Sequence, residues 1–390
     1  MKILHVISSM DPKAGGVSQG IRNLNPYIVK GDVQVEVISI DDKNEDYQLK
    51  DEFVIHKIGK GKTSFQYNPK LYVWLMQNLE NYDCVVVHGI WQYHNYAVYI
   101  AIKKLKKKAK KTPKVIIMVH GMLDPYFQKA ADRKMKALRN ELVWRCTEKK
   151  AINAADALFF TCEEELLLAR TTFKGYLPKK EINVGFGIQK PPIFEVQMKK
   201  AFEQKCPEIL GKKYWLFISR IHPKKGVDVL IDAYNKMTSA NHILPDLVIV
   251  GPVDSDYAQQ MIEKANVNPQ IHFLGMLTGN SKWGAFYGCE AYLLPSHQEN
   301  FGIAIVEAMA CKKPVLITKN INIWREIEAG NGGWILEEVS TDSIEKSLLV
   351  ISKYTDAHLE NKGKCAIETF NKTFDVEDCA DIFITTLKNL

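Results

Sequence analysis

The sequence predicts an α/β protein of two doubly wound, Rossmann-like domains, and three observations carry that prediction. Short β-branched runs alternate with helical stretches from end to end, the alternation occurs twice, and a Gly- and Pro-marked segment separates the two series. Candidate strands of the first series fall at 3–7, 33–40, 53–58, 84–87, 115–119 and 157–160. Those of the second fall at 215–218, 247–250, 271–273, 291–294, 315–317 and 333–336. The separator is Gly185-Phe186-Gly187-Ile188-Gln189-Lys190-Pro191-Pro192. Domains are therefore expected at 1–187 and 191–370, with 371–390 as an amphipathic helix that packs back across them. Open parallel sheets bind ligands at the carboxyl ends of their strands, so two facing sheets make an interdomain cleft the expected site.

The composition bounds the function classes. At 390 residues, 46% hydrophobic and 10% aromatic, the chain holds two full cores. No segment approaches 18 apolar residues, and the run Lys2-Ile3-Leu4-His5-Val6-Ile7 is too short for a signal peptide, so a cytoplasmic enzyme is expected. Eight cysteines without CxxC or metal-like spacing fit buried thiols in a reducing compartment. Net charge is +7, split unevenly. Residues 1–200 carry 33 Lys plus Arg against 21 Asp plus Glu, whereas 201–390 carry 19 against 24.

Along the chain, the turn after the first strand holds Gly15 and Gly16 ahead of an apolar helix over 17–29. Paired glycines let backbone approach a ligand and a helix N-terminus receives phosphate, although the spacing is no dinucleotide fingerprint and a plain turn reads the same way. After the fourth strand, His88, Trp91 and His94 supply stacking and hydrogen-bonding groups for an acceptor sugar, or else core aromatics. The following helix is expected to begin at about Tyr96 and to end in the lysine run 103–111. That run is either a solvated helix end or a dock for anionic lipid; no nucleic-acid motif accompanies it. His120 leaves the fifth strand.

In the second half, Arg220 leaves the carboxyl end of a strand and Lys225 stands just before a helix near Val227. Both cations can reach one point and clamp a diphosphate without a metal. Asp254-Ser255-Asp256 spells DxD, but its place after a strand and Gly251-Pro252 reads as a helix-capping turn. Two glutamates then stand eight positions apart, Glu299 in a loop and Glu307 on a helix opening near Gly302. Glu307 lies about 1.5 turns in, roughly 7 Å along the axis, and turns inward with the packed face. Buried carboxylates need donors, which either a salt bridge or sugar hydroxyls supply.

Arg220 with Lys225-Gly226, then Glu299-Asn300-Phe301-Gly302 with Glu307-Ala308, resemble the retaining family-four glycosyltransferases of the GT-B architecture. Gly15-Gly16-Val17 and the segment from His120 to Pro125 look like that family's N-domain signatures, and the resemblance covers nearly the whole chain. It implies that Glu307 holds the ribose of a sugar nucleotide, and that Glu299 with the backbone of Asn300, Phe301 and Gly302 holds the donor sugar. Arg220 and Lys225 would neutralise the departing diphosphate, Gly275, Met276 and Leu277 would seat the base, Gly16 would donate to phosphate, and His120 would approach the transferred sugar. The domain at 1–187 would be the acceptor side and 191–370 the nucleotide-sugar side. The implied reaction needs no cofactor and no metal. It moves a sugar, from UDP by preference, to a saccharide or lipid-linked saccharide acceptor in polysaccharide biosynthesis, with peripheral contact at the inner membrane face. A sugar-nucleotide epimerase and a non-catalytic sugar-nucleotide-binding scaffold are the alternatives.

Overall fold

The computed structural model describes residues 1–29, 33–130 and 133–390. Its contacts divide the chain into a first unit, Met1–Gln189 with Val376–Leu390, and a second, Lys190–Asp375. The division falls within the Gly- and Pro-marked segment, and the chain returns to the first unit at Val376, whose N–H donates to the Ile188 carbonyl at 3.2 Å.

The first unit holds a parallel seven-stranded sheet in the order β3-β2-β1-β4-β5-β6-β7. Its strands are β1 (Lys2–Ile7), β2 (Gln34–Ser39), β3 (Val54–Lys57), β4 (Cys84–His88), β5 (Lys114–Met118), β6 (Ala157–Phe160) and β7 (Glu181–Asn183). Only β7 was unforeseen: three residues with two polar side chains at a sheet edge offer no hydrophobic run to read. The central strands β1, β4, β5 and β6 are nearly continuous apolar runs because helices cover both faces of a parallel sheet. His5 interrupts β1 and is fully buried.

The second unit repeats the plan in the order β10-β9-β8-β11-β12-β13. Its strands are β8 (Tyr214–Ile218), β9 (Asp246–Val250), β10 (Ile271–Phe273), β11 (Ala291–Leu294), β12 (Val315–Thr318) and β13 (Gly333–Leu336). In each sheet the winding direction reverses once, between β1 and β4 and between β8 and β11. The loops leaving these strand pairs diverge and leave room for a ligand.

Two helices depart from expectation. The helix carrying the lysine run spans Tyr93–Lys107, three residues earlier than its aromatic start suggested, and the run outlasts it. Beyond its end, Lys110 pairs with Glu80 at 2.6 Å and Lys111 with Asp83 at 3.3 Å. The last helix, Val376–Lys388, belongs to the first unit, where the Phe383 ring meets Phe159 edge-on at 5.7 Å and stacks near His5 at 6.4 Å. Ser255 caps the helix Asp256–Ala265 by accepting from the Ala258 N–H at 3.1 Å, so the DxD triplet is a helix start. All eight cysteines are free thiols, buried except Cys146 and Cys365. Among the described residues no helix is long and apolar enough to cross a membrane.

Phe383→Ala empties a fully packed site under the first sheet and should cost about 3–5 kcal/mol. Thermal unfolding followed by calorimetry should show a lowered first-unit transition; an unchanged profile would mean that the last helix adds nothing to that core.

Candidate functional site

The second unit gathers charge where β8 and β11 end side by side. The loop after β8 turns through Gly226, whose φ of 66° is left-handed and whose Cα has no room for a Cβ: one placed there would lie 2.1 Å from the Pro295 carbonyl oxygen. That close approach lets the loop after β11 hydrogen-bond to the loop after β8. His297 N–H and Ser296 Oγ donate to the Lys224 carbonyl at 2.8 and 2.9 Å. The stitched loops bring Lys225 Nζ into contact with a Glu299 carboxylate oxygen.

Glu299 is fixed from its other side by the end of β12. Its N–H donates to the Asn320 carbonyl and its carbonyl accepts from Asn322, both at 3.0 Å. Asn322 Nδ2 donates to Asn300 Oδ1 at 3.1 Å, and Thr318 Oγ donates to the Ser296 carbonyl at 2.7 Å. Gly302, with φ 76°, then opens the helix Ile303–Ala310. Phe301 is buried edge-on against Phe374 at 5.6 Å, so this side chain anchors the loop and only its backbone can serve a ligand.

Glu307 is the one charge on a helix whose residues from Ile305 onward are otherwise buried. Its carboxylate accepts from Lys282 Nζ at 2.6 Å, a residue on the helix Gly279–Gly288. Burial raises its pKa above the usual carboxylate range, against the pull of Lys282. Lys225 is displaced the other way: burial, with Lys224 and Arg220 nearby, pushes its ammonium down to about 7, while the Glu299 contact opposes that shift. Arg220 is exposed at the mouth of the same loop. Lys224 and Arg220 thus act on the Lys225–Glu299 pair from nearby, an arrangement an anionic ligand would relieve. The loop after β10 carries Gly275 in the left-handed region, an exposed Met276 and a buried Leu277. A larger hollow of about 860 Å³ lies at the amino ends of β8, β11 and β12, beside Lys213, Glu290 and Lys313, and holds none of these residues.

In the first unit, the loop after β1 is tied to Asp41, which accepts from Ser9 Oγ at 2.6 Å and from the Met10 N–H at 2.7 Å. Gly15 takes φ 119°, and the exposed Gly16 starts the helix Gly16–Ile28. Beside this loop a hollow of about 620 Å³ is lined by Ser8, Ser9, Asp41, Lys60 and Gln92, with His88 also on its wall. His120 follows β5 at φ 50°, half-buried.

The three acceptor-side candidates lie largely inside the first unit, with His88 on the wall of the polar hollow. His88 and His94 are buried, and His94 Nε2–H is spent on the His88 carbonyl at 2.9 Å. Trp91 is half-buried against Phe173, with its indole N–H donating to the Met122 carbonyl at 3.3 Å. A histidine at a strand end reads the same in sequence whether it faces ligand or core. Conversely, Lys282, Asn320 and Asn322 escaped the sequence reading. Their signal was available: a lone charge on an uncharged helix, and a polar pair just beyond the carboxyl end of β12.

Residues 198–363 match the family model described as Glycosyl transferases group 1, and residues 14–182 the one described as Glycosyltransferase Family 4. An uncharacterized glycosyltransferase of Methanocaldococcus jannaschii is 26% identical over 168 residues, 43% of this chain and 45% of that one. The chain thus spans less than half of that relative's length. O-antigen chain mannosyltransferase C of Escherichia coli is 21% identical over 325 residues, 81% of this chain and 79% of that one. Among solved structures, Anabaena HepE in complex with UDP and glucose superposes with a TM-score of 0.75 over 100% of both chains at 19% identity, which shows the fold.

Because the Glu307 carboxyl pKa is raised, the folded chain holds that proton more tightly than the unfolded chain. Stability therefore falls as pH rises through the raised value, and the loss is complete above it. Glu307→Gln removes that loss, so at pH 8 the variant should unfold at or above the wild-type temperature. A clear drop would mark Glu307 and Lys282 as a structural ion pair.

Proposed function

The chain belongs to the family 4 glycosyltransferases of GT-B type, and from that premise we propose that it transfers a sugar, with retention, from a nucleoside diphosphate to a saccharide acceptor. The observation that carries this reading is the cationic focus of Arg220, Lys224 and Lys225 at the reversal of the second sheet. Breaking a glycosyl phosphate bond leaves negative charge on the diphosphate, and fixed cations that meet that charge lower the barrier. Arg220, exposed and planar, suits the outer phosphate oxygens. Lys225, buried and partly neutral, gains its charge fully when the diphosphate arrives. The DxD triplet starts a helix, and these cations supply what a metal would, so the reaction we propose is metal-independent.

Glu307, one and a half turns into its helix, is suited to ribose hydroxyls, and Glu299 with Asn300 and Gly302 to the donor sugar. Since Glu299 is held by Lys225 and by backbone on both sides, it is poorly placed to swing in as a nucleophile. We therefore favour attack by the acceptor hydroxyl on the face the diphosphate leaves. UDP is the proposed carrier, as in the HepE complexes with UDP and with UDP-glucose. The polar hollow beside the loop after β1 is the proposed acceptor subsite, since hydroxyl, amide and carboxylate groups line it. An epimerase would release an isomerised sugar nucleotide and a scaffold would release nothing, so product analysis separates both from a transferase.

The acceptor is proposed to be lipid-linked and met at a cytoplasmic membrane face. Lys103, Lys106 and Lys107 rim an apolar groove of about 480 Å³ floored by Val98, Ile102, Val115 and Ile117, and each lysine near an anionic surface contributes on the order of 1 kcal/mol.

Two measurements check these readings. In calorimetric titration at pH 8 with EDTA, UDP should bind with uptake of close to one proton, read from the dependence of the heat on buffer ionisation, and Lys225→Met should abolish the uptake. No binding in EDTA that returns with manganese would sink the metal-free mechanism. In flotation at low salt, the chain should rise with anionic but not neutral liposomes, and Lys103→Glu with Lys106→Glu should keep it at the bottom; recovery of the wild-type protein at the bottom would remove the membrane contact.

A further inference from the structure

Three imidazoles run in series through the first unit. His5 Nδ1 lies 2.7 Å from His88 Nε2, and His88 Nδ1 lies 3.0 Å from His120 Nε2. The His88 and His120 rings stack at 5.3 Å and 19°, and the His5 and His88 rings tilt at 4.9 Å. His5 is sealed in the core, His88 is buried at the wall of the hollow beside the loop after β1, and His120 is half-buried. Among the described residues no acidic side chain is bonded to any of the three rings, and burial depresses the basicity of all three, so each is a neutral ring with one N–H and one lone pair.

A neutral His88 must donate with one nitrogen and accept with the other, so the two bonds point the same way along the series. If they run inward from His120, His5 Nε2 carries an N–H, and that atom is buried without a partner among the described residues. If they run outward, the same atom is a bare lone pair. Orphaned buried N–H groups are the rarer and costlier of the two. The neighbouring His94 makes the same compromise visibly: its Nε2 faces a carbonyl and so must donate, which leaves its Nδ1 a buried lone pair without a partner.

We propose that His5 and His88 are positioning residues that lock His120 as the Nδ1–H tautomer, making it an outward hydrogen-bond donor rather than a base. In this arrangement His5 Nδ1–H donates to His88 Nε2, and His88 Nδ1–H donates to His120 Nε2. His120 Nδ1, which has no protein partner among the described residues and is not sealed from solvent, then presents its N–H to a ligand oxygen.

The backbone holds the ring to this task. Val119 to Met122 form a turn closed by the Met122 N–H on the Val119 carbonyl at 3.0 Å, with positive φ at both His120 and Gly121. The Gly121 N–H is bound by buried Glu165, which also accepts from the Thr161 N–H at 2.7 Å and Thr161 Oγ at 2.6 Å. A histidine kept in the left-handed region by such a clamp stores backbone strain, as functional positions do. Under the transferase reading, on which only the role of the N–H rests, the oxygen it meets belongs to a sugar hydroxyl.

The test is long-range nitrogen–proton NMR of histidine side chains in the full chain, which distinguishes the tautomers without any substrate. Wild-type His120 should be purely Nδ1–H, and His88→Leu and His5→Leu should each leave it a mixture. Two variants guard against one failing to fold. Nε2–H at His120 in the wild type, a mixture there, or pure Nδ1–H surviving both substitutions would overturn the proposal. With donor and acceptor, His88→Leu should lower kcat about tenfold with little change in KM, and His88→Leu in a His120→Ala background should add nothing. A further loss in that background would overturn the positioning role. Absence of any transfer by the wild type would count against the transferase reading and leave the tautomer result standing.

Discussion

The contact of the Gly226 Cα with the Pro295 carbonyl sets the geometry on which the second unit's site depends. Only a residue without Cβ, in the left-handed region, lets the loop after β8 press against the loop after β11. From that pressure follow the bonds of Ser296 and His297 to the Lys224 carbonyl, and from those follows the meeting of Lys225 with Glu299. A second close approach of the same kind lies one strand over, where a Cβ on Gly251 would fall 2.0 Å from the Ser219 carbonyl oxygen. Strand ends in this sheet are drawn together backbone to backbone. The side chains that matter are consequently aimed by main-chain geometry, which deforms less than side-chain packing does.

Strand positions were legible because buried parallel strands are written as uninterrupted apolar runs, and the reversal of strand order follows from their number and alternation. The two glutamates and the cations after β8 were legible for a related reason: charge just past an apolar run marks a carboxyl end. What escaped was pairing. Nothing in the letters says that Lys282, on a helix two elements earlier, meets Glu307, or that Asn320 and Asn322 hold the loop of Glu299. Likewise, the sequence of β1 shows a histidine in an apolar strand, but not that its ring abuts His88 and through it His120. Local patterns report faces and ends; partners across the sheet are set by register and winding.

The two units solve one problem in different currencies. In the second, charges are partly buried: burial, with Lys224 and Arg220 nearby, lowers Lys225 toward neutrality, and burial raises Glu307 toward it against the pull of Lys282. In the first, the buried polar groups near the reversal are neutral rings that satisfy one another in series. Both arrangements leave something unsatisfied at the protein's edge: an excess of positive charge in one, an unclaimed imidazole nitrogen in the other. A structure selected for stability alone would replace either with apolar packing, since isolated buried charge and orphaned polar atoms are destabilising.

That contrast bears on how the units divide the chemistry. A diphosphate asks for charge, and a site that already repels itself gains most when the anion arrives. A sugar hydroxyl asks for direction, because its oxygen both donates and accepts and a mobile tautomer would match it in two ways. A neutral donor fixed by His88 and His5 offers one. Burial keeps the imidazole uncharged, and the series of rings keeps it from turning its lone pair outward. Under the proposed transferase reading, the histidine in a strained turn suits an oxygen whose position must be specified, and the lysine in a buried one suits a charge that must be met.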